Sequence, residues 1–166
     1  MEHPPAALGA LTAGGEEFAV RRARRDDVPA LVALLADDPL GRGRENASPE
    51  VYLAAFEAVD ASDEQLLVCL TSDFGAVVGT LQLSFIRGLS RGGALRGQIE
   101  AVRVHREHRG HGLGRLLVGW AVAECRRRGC VLVQLTSDRS RGDARRFYER
   151  LGFVDSHVGL KLALDP

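Results

Sequence analysis

A chain of 166 residues with 45% hydrophobic content has the length of one ordinary domain and enough apolar material to bury a core. Its 22 basic and 22 acidic residues cancel, which excludes an overall field drawing it to nucleic acid or to an anionic membrane, so neither is an expected partner. Cys69, Cys125 and Cys130 are odd in number and lack CxxC spacing, which excludes a disulfide framework and a structural zinc site and fits a reducing, cytoplasmic setting.

The first 17 residues, "MEHPPAALGALTAGGEE", carry neither a basic stretch nor a long apolar run and read as a flexible tail ahead of a single domain over 18–166. "FAVRRA" follows as a strand, and "DDVPALVALLADD" combines acidic cap residues, a first-turn Pro29 and apolar residues at helical spacing. A Gly/Arg-rich loop, "PLGRGREN", leads through the cap residue Ser48 and Pro49 into a second amphipathic helix, "EVYLAAFEAVD". "QLLVCLTS" and "GAVVGTLQLSFIRG" are strands joined by a hairpin signal at 73–75. "LSRGGALRG" reads as a flexible loop and "QIEAVRV" as the next strand. A helix then places Leu113, Leu116, Leu117 and Trp120 on one face, and Gly129 after three arginines has the composition of its C-terminal cap. "CVLVQLTS" is almost continuously apolar, as a strand covered on both faces must be. In "GDARRFYERLGF" Ala144, Phe147, Tyr148 and Leu151 recur at helical spacing, and "HVGLKLAL" reads as a closing strand.

The chemistry concentrates in "EAVRVHREHRGHGLGRLL", where three glycines follow an apolar strand and precede a helix. A P-loop fails on spacing and on Arg115-Leu116 in place of Lys-Ser/Thr, and a dinucleotide GxGxxG fails because its third glycine falls on Arg115 or Leu117. What stands is RxxGxG over 109–114. Glycines let backbone approach an anion closely, and a helix start offers unpaired N–H groups and the positive end of its dipole, so a pyrophosphate fits. A tight strand-to-helix corner is the plain structural alternative.

This segment resembles the acyl-CoA signature [QR]xxGx[GA] of the GNAT superfamily of N-acetyltransferases, and "ARRFYERLGF", about 30 residues further on, is similar to that family's last helix. The resemblance implies an α/β (α+β) fold: a central mixed, mostly antiparallel sheet of six to seven strands, splayed between the fourth and fifth, with about four flanking helices. It implies acetyl-CoA as co-substrate, no metal, and transfer of its acetyl group to a primary amine by direct attack. The acceptor is expected to be a small molecule, with a protein lysine or N-terminus, or a non-catalytic acyl-CoA-binding module, as alternatives. The backbone of Val102, Arg103 and Val104 then holds the pantetheine arm, and the loop Arg109, Gly110, His111, Gly112, Leu113, Gly114, Arg115 holds the pyrophosphate.

Two side chains are catalytic candidates under that resemblance. Glu100 stands two residues before Val102, on the same face by the strand period, and is expected to take the ammonium proton directly or through water. Its alternative is a partly solvated strand glutamate. Tyr148 falls where the family faces the CoA sulfur and is expected to protonate the departing thiolate, with a core aromatic as the alternative. The family's frequent Asn is Arg141 here, which leaves a CoA phosphate contact or simple solvation open for that side chain. His105, His108 and His111 sit at a phosphate loop in which backbone does the binding, so no metal is expected. Relatives often pair, so a homodimer is expected as well.

Overall fold

The computed structural model describes residues 7–38 and 41–164. Six strands form one sheet in chain order: β1 (Gly9–Ala13), β2 (Glu16–Arg22), β3 (Gln65–Ser72), β4 (Val77–Ile86), β5 (Arg96–Val104) and β6 (Leu132–Leu135). All neighbours are antiparallel except β5 and β6, which run parallel. The helices are α1 (Val28–Ala36), α2 (Pro49–Asp60), the single turn α3 (Ser90–Gly93), α4 (Leu113–Arg127) and α5 (Gly142–Arg150). The mixed, mostly antiparallel sheet with flanking helices is the expected architecture.

Each face of the sheet has its own cover. Alternate residues Val20, Val68, Leu81 and Leu83 are fully buried against the α4 stripe Leu113, Leu117, Val118 and Ala121. Burial of such a side chain is worth about 1.5–3 kcal/mol, so this stripe, with helical period facing strand period, anchors α4 and with it the loop that precedes it. The opposite face is covered by α1 and α2, through Val28, Leu31 and Phe56 on Cys69. Asp27 sets the start of α1: its carboxylate takes two hydrogen bonds from Arg21 at 2.7 and 2.8 Å and one from the Arg24 amide at 2.7 Å. Burial pulls this carboxyl upward, but these donors outweigh it and hold it below the usual carboxylate range.

Three expectations need correction. Part of the expected tail 1–17 is sheet: Gly9–Ala13 pairs with Glu16–Val20 around a turn whose Gly14 and Gly15 have φ of +61° and +84°. Trp120 of α4 lies against Gly9, where an added Cβ would sit 3.0 Å from its Nε1, so a feature 111 residues away seats β1. The expected strand over 130–137 shrinks to Leu132–Leu135, each half-buried, because its neighbour β5 runs alongside only that far. The expected closing strand "HVGLKLAL" is not a strand here, and Val158, Leu160, Leu162 and Leu164 are exposed. An alternating pattern becomes a strand only where another strand supplies hydrogen bonds, and among the described residues no neighbour does so for 157–164.

Candidate active site

β6 pairs with β5 only over Arg96–Ile99, so the remainder of β5, Glu100 to Val104, has β4 on one side and no strand on the other. The splay therefore lies where expected, between the strand that carries Gln98–Val104 and the one that follows it, which count as fifth and sixth because β1 adds a strand at the front. The His105 amide bonds to the Val78 carbonyl at 2.7 Å, so by strand alternation Val104 and Val102 turn their backbone groups to the open edge. Arginine side chains hold the two carbonyls there: Arg103 Nη1 donates to Val102 O at 2.9 Å and Arg109 Nε to Val104 O at 2.8 Å. Such an edge can take an extended ligand the way a sheet takes an added strand.

A bulge within this stretch changes which side chains share a face. Gln82 pairs with Glu100 and Thr80 with Arg103, so one residue of β4 opposes the two residues Ala101 and Val102 of β5. Ala101 accommodates the extra residue at φ +52°, a conformation that costs a residue with a Cβ about 1–2 kcal/mol. The expectation that Glu100 and Val102 share a face is thereby overturned. Val102 and Val104 pack toward the α4 core, while Glu100 stands exposed on the α1 side with Arg103. On that same side Gln134 donates to Gln98 at 2.8 Å, and Gln82 and Ser84 donate to Gln65 at 3.0 and 2.8 Å, giving Glu100 a polar floor.

Beyond β5 the chain makes one tight turn, Arg106–His108, and enters the glycine loop. Gly110 and Gly112 have φ of +85° and +82°, with open space where a Cβ would project. α4 starts directly after Gly112 with no side-chain cap and no acidic residue in its first turn. Its first internal bond is from the Leu116 amide to the Gly112 carbonyl at 3.1 Å, so the N–H groups of Leu113, Gly114 and Arg115 have no acceptor within the helix. Gly114 lies under Phe147 and Val104, each 3.8 Å from an added Cβ, which ties the helix start to α5 and to the open strand. His111 lies over Gly14, and with Phe18, His108 and Leu113 they line a cavity of about 150 Å³. The Arg109 side chain turns away from the loop and bonds Asp37 at the end of α1 at 2.9 Å. A larger hollow of about 470 Å³, lined by Arg22, Arg25, Phe56 and Asp60, lies on the α2 side, remote from the open strand.

α5 brings up Tyr148, whose ring packs edge-on against Phe147 and Phe153 at 5.0 and 5.8 Å. Burial pushes its phenol above the ordinary tyrosine value, with Arg141 and Arg103 pulling the other way. Among the described residues its hydroxyl has no hydrogen-bond partner. Arg141 sits at the start of α5, 3.4 Å from Asp38, and Arg103 is 3.5 Å from the same carboxylate oxygen. Asp37, Asp38 and the side chain of Arg103 escaped the sequence reading, since their contacts join the end of α1 to strands and helices more than sixty residues away.

An open strand edge followed by a glycine loop and an uncapped helix start is an arrangement that can take a long, anionic, strand-like ligand. The model of the acetyltransferase (GNAT) family matches residues 28–153. The chain is 30% identical over 148 residues to an aminoalkylphosphonate N-acetyltransferase of Salmonella typhimurium, covering 87% of this chain and 90% of that one. It is 38% identical over 90 residues to a glucosamine 6-phosphate N-acetyltransferase of Trypanosoma brucei brucei, covering 54% of this chain and 59% of that one. A solved structure described as a transcriptional regulator from Bacillus halodurans superposes with a TM-score of 0.84 at 41% identity, over 89% of this chain and 99% of that one. The protein belongs to the acetyltransferase (GNAT) family and is an acyltransferase.

Proposed function

We propose that the protein transfers the acetyl group of acetyl-CoA to the primary amine of a small molecule, by direct attack in a ternary complex. The observation that carries this reading is the open edge of β5 leading, through one turn and the glycine loop, to the uncapped start of α4. The pantetheine arm pairs with the backbone of Val102 to Val104, displacing the arginine side chains from the two carbonyls. The pyrophosphate meets the N–H groups of the 109–115 loop and the positive end of the α4 dipole.

In this reading a neutral amine nitrogen attacks the thioester carbonyl carbon, a tetrahedral oxyanion forms, and the carbon–sulfur bond then breaks. Glu100 accepts the proton lost by the amine, directly or through a water on the polar floor beside it. Tyr148 gives its phenolic proton to the departing thiolate, a role supported by a phenol that burial keeps protonated at neutral pH. Both relatives with a named acceptor act on amines that carry a phosphonate or phosphate, which supports an acceptor of that class. The exposed apolar residues at 158, 160, 162 and 164 support a homodimer in which this segment pairs with the second copy. A thiol-release screen with acetyl-CoA against a panel of amines tests the activity, and silence across the panel with acetyl-CoA bound would leave a binding module instead.

A further inference from the structure

Arg103 and Arg141 arrive from β5 and from the start of α5, and both reach Oδ2 of Asp38, at 3.5 and 3.4 Å. Two guanidinium groups thus share one carboxylate oxygen at separations beyond the roughly 2.7–2.9 Å of a good charge-assisted hydrogen bond. The Asp38 side chain is only 8% exposed and that of Arg103 18%, so water screens the cluster weakly. Among the described residues Arg103 Nε is buried without a hydrogen-bond partner. Such a donor is costly to leave unpaired. Tyr148 and Glu45 also bear on Arg103, and Glu45 accepts the Tyr52 hydroxyl at 2.9 Å.

The two arginines lie apart from the loop proposed for the cofactor's phosphates. Val104 packs against Gly114 on the α4 face of β5, whereas Arg103 projects to the α1 face, the same one as Glu100. Glu100 and Arg103 are one same-face step apart on β5, about 7 Å along the strand. We infer that Arg103 and Arg141 form a subsite for a phosphonate or phosphate group of the acceptor, whose amine then falls beside Glu100. This rests on the N-acetyltransferase reading. A tetrahedral dianion offers three oxygens, enough for Arg103 Nε and for one contact from each guanidinium terminus, and its second charge balances the second arginine. A carboxylate offers two oxygens and one charge.

The test compares kcat/KM at saturating acetyl-CoA for 2-aminoethylphosphonate, 3-aminopropanoate and the neutral propylamine. The phosphonate is expected to exceed propylamine by about 100-fold, since hydrogen bonds between charged groups are each worth roughly 10-fold or more. Arg103→Gln and Arg141→Gln are each expected to cut that ratio about 10-fold, mainly through KM of the phosphonate. Arg141, at 42% exposure, carries the test if Arg103→Gln does not fold. Calorimetric binding of methylphosphonate to the full chain, weakened in either variant, reads the subsite without turnover. A preference for the carboxylate, or equal losses on the phosphonate and propylamine in both variants, overturns the subsite. Arginine-dependent methylphosphonate binding with no amine acetylated keeps the subsite and overturns the transferase reading, whereas turnover without a phosphonate preference does the reverse.

Discussion

Tyr148→Phe removes one oxygen from a ring that keeps its packing against Phe147 and Phe153. Because the hydroxyl has no hydrogen-bond partner among the described residues, stability is expected to change by less than about 1 kcal/mol, the range of a lost or absent neutral hydrogen bond. Catalysis behaves differently if the phenol protonates the thiolate. The thiol leaves with developing negative charge at a pKa of about 8.5, and loss of a positioned general acid that neutralises it slows turnover by about 10² to 10⁴. That range corresponds to roughly 2.7–5.4 kcal/mol of barrier. Burial places the folded phenol above its ordinary value, so it remains protonated at neutral pH, and its contribution declines only as pH rises through that elevated value. Steady-state thiol release from pH 6 to 10.5, with acetyl-CoA affinity measured separately by calorimetry, resolves the two parameters. The expected result is a loss in kcat with affinity little changed. Near-normal kcat in a variant that only melts earlier would refute the acid role and leave Tyr148 as a core aromatic.

Acetyl-CoA is expected to raise Tm, and Gly112→Glu to abolish that increment. Since Gly112 sits at φ +82°, the variant's unliganded Tm should also fall, by the equivalent of about 1–2 kcal/mol, so the ligand-induced increment is the decisive reading. Glu100→Gln should lose most activity where the amine is still protonated and recover as pH approaches the amine's own pKa; an unchanged pH–rate profile would assign deprotonation to water or to another residue. Asp27→Asn should destabilise by about 3–5 kcal/mol by leaving the mostly buried Arg21 without its carboxylate. The folded carboxyl titrates below its unfolded value, so its contribution is present above the unfolded range and lost as pH falls through the folded value; urea melts at pH 7 and pH 3 should show that loss in the parent and a smaller change in the variant. Light scattering should give twice the 17.9 kDa chain mass, and removal of 157–164 should return it to a single chain; a monomeric parent would count against the pairing of this segment.

The sequence alone determined what depends on short-range geometry. The glycine loop was legible because positive φ at Gly110 and Gly112 and a helix start directly after them are local needs, met by residues within a few positions of one another. The stripes of α4 and α5 were legible for the same reason, since a 3.6-residue period is written into neighbouring turns. Tertiary structure decided the rest. Ala101 gives no sign in the sequence that it will absorb a bulge, yet that one extra residue moves Glu100 from the face of Val102 to the face of Arg103. β1 exists because β2 gives a weakly patterned segment something to pair with and Trp120 packs against it, and 157–164, with a clearer strand pattern, has no such neighbour among the described residues. The convergence of Arg103, Arg141 and Asp38 depends on where α1 ends and α5 begins relative to the open edge of β5. Long-range pairing and charge contacts are properties of which surfaces meet, and a one-dimensional pattern records only which surfaces are available.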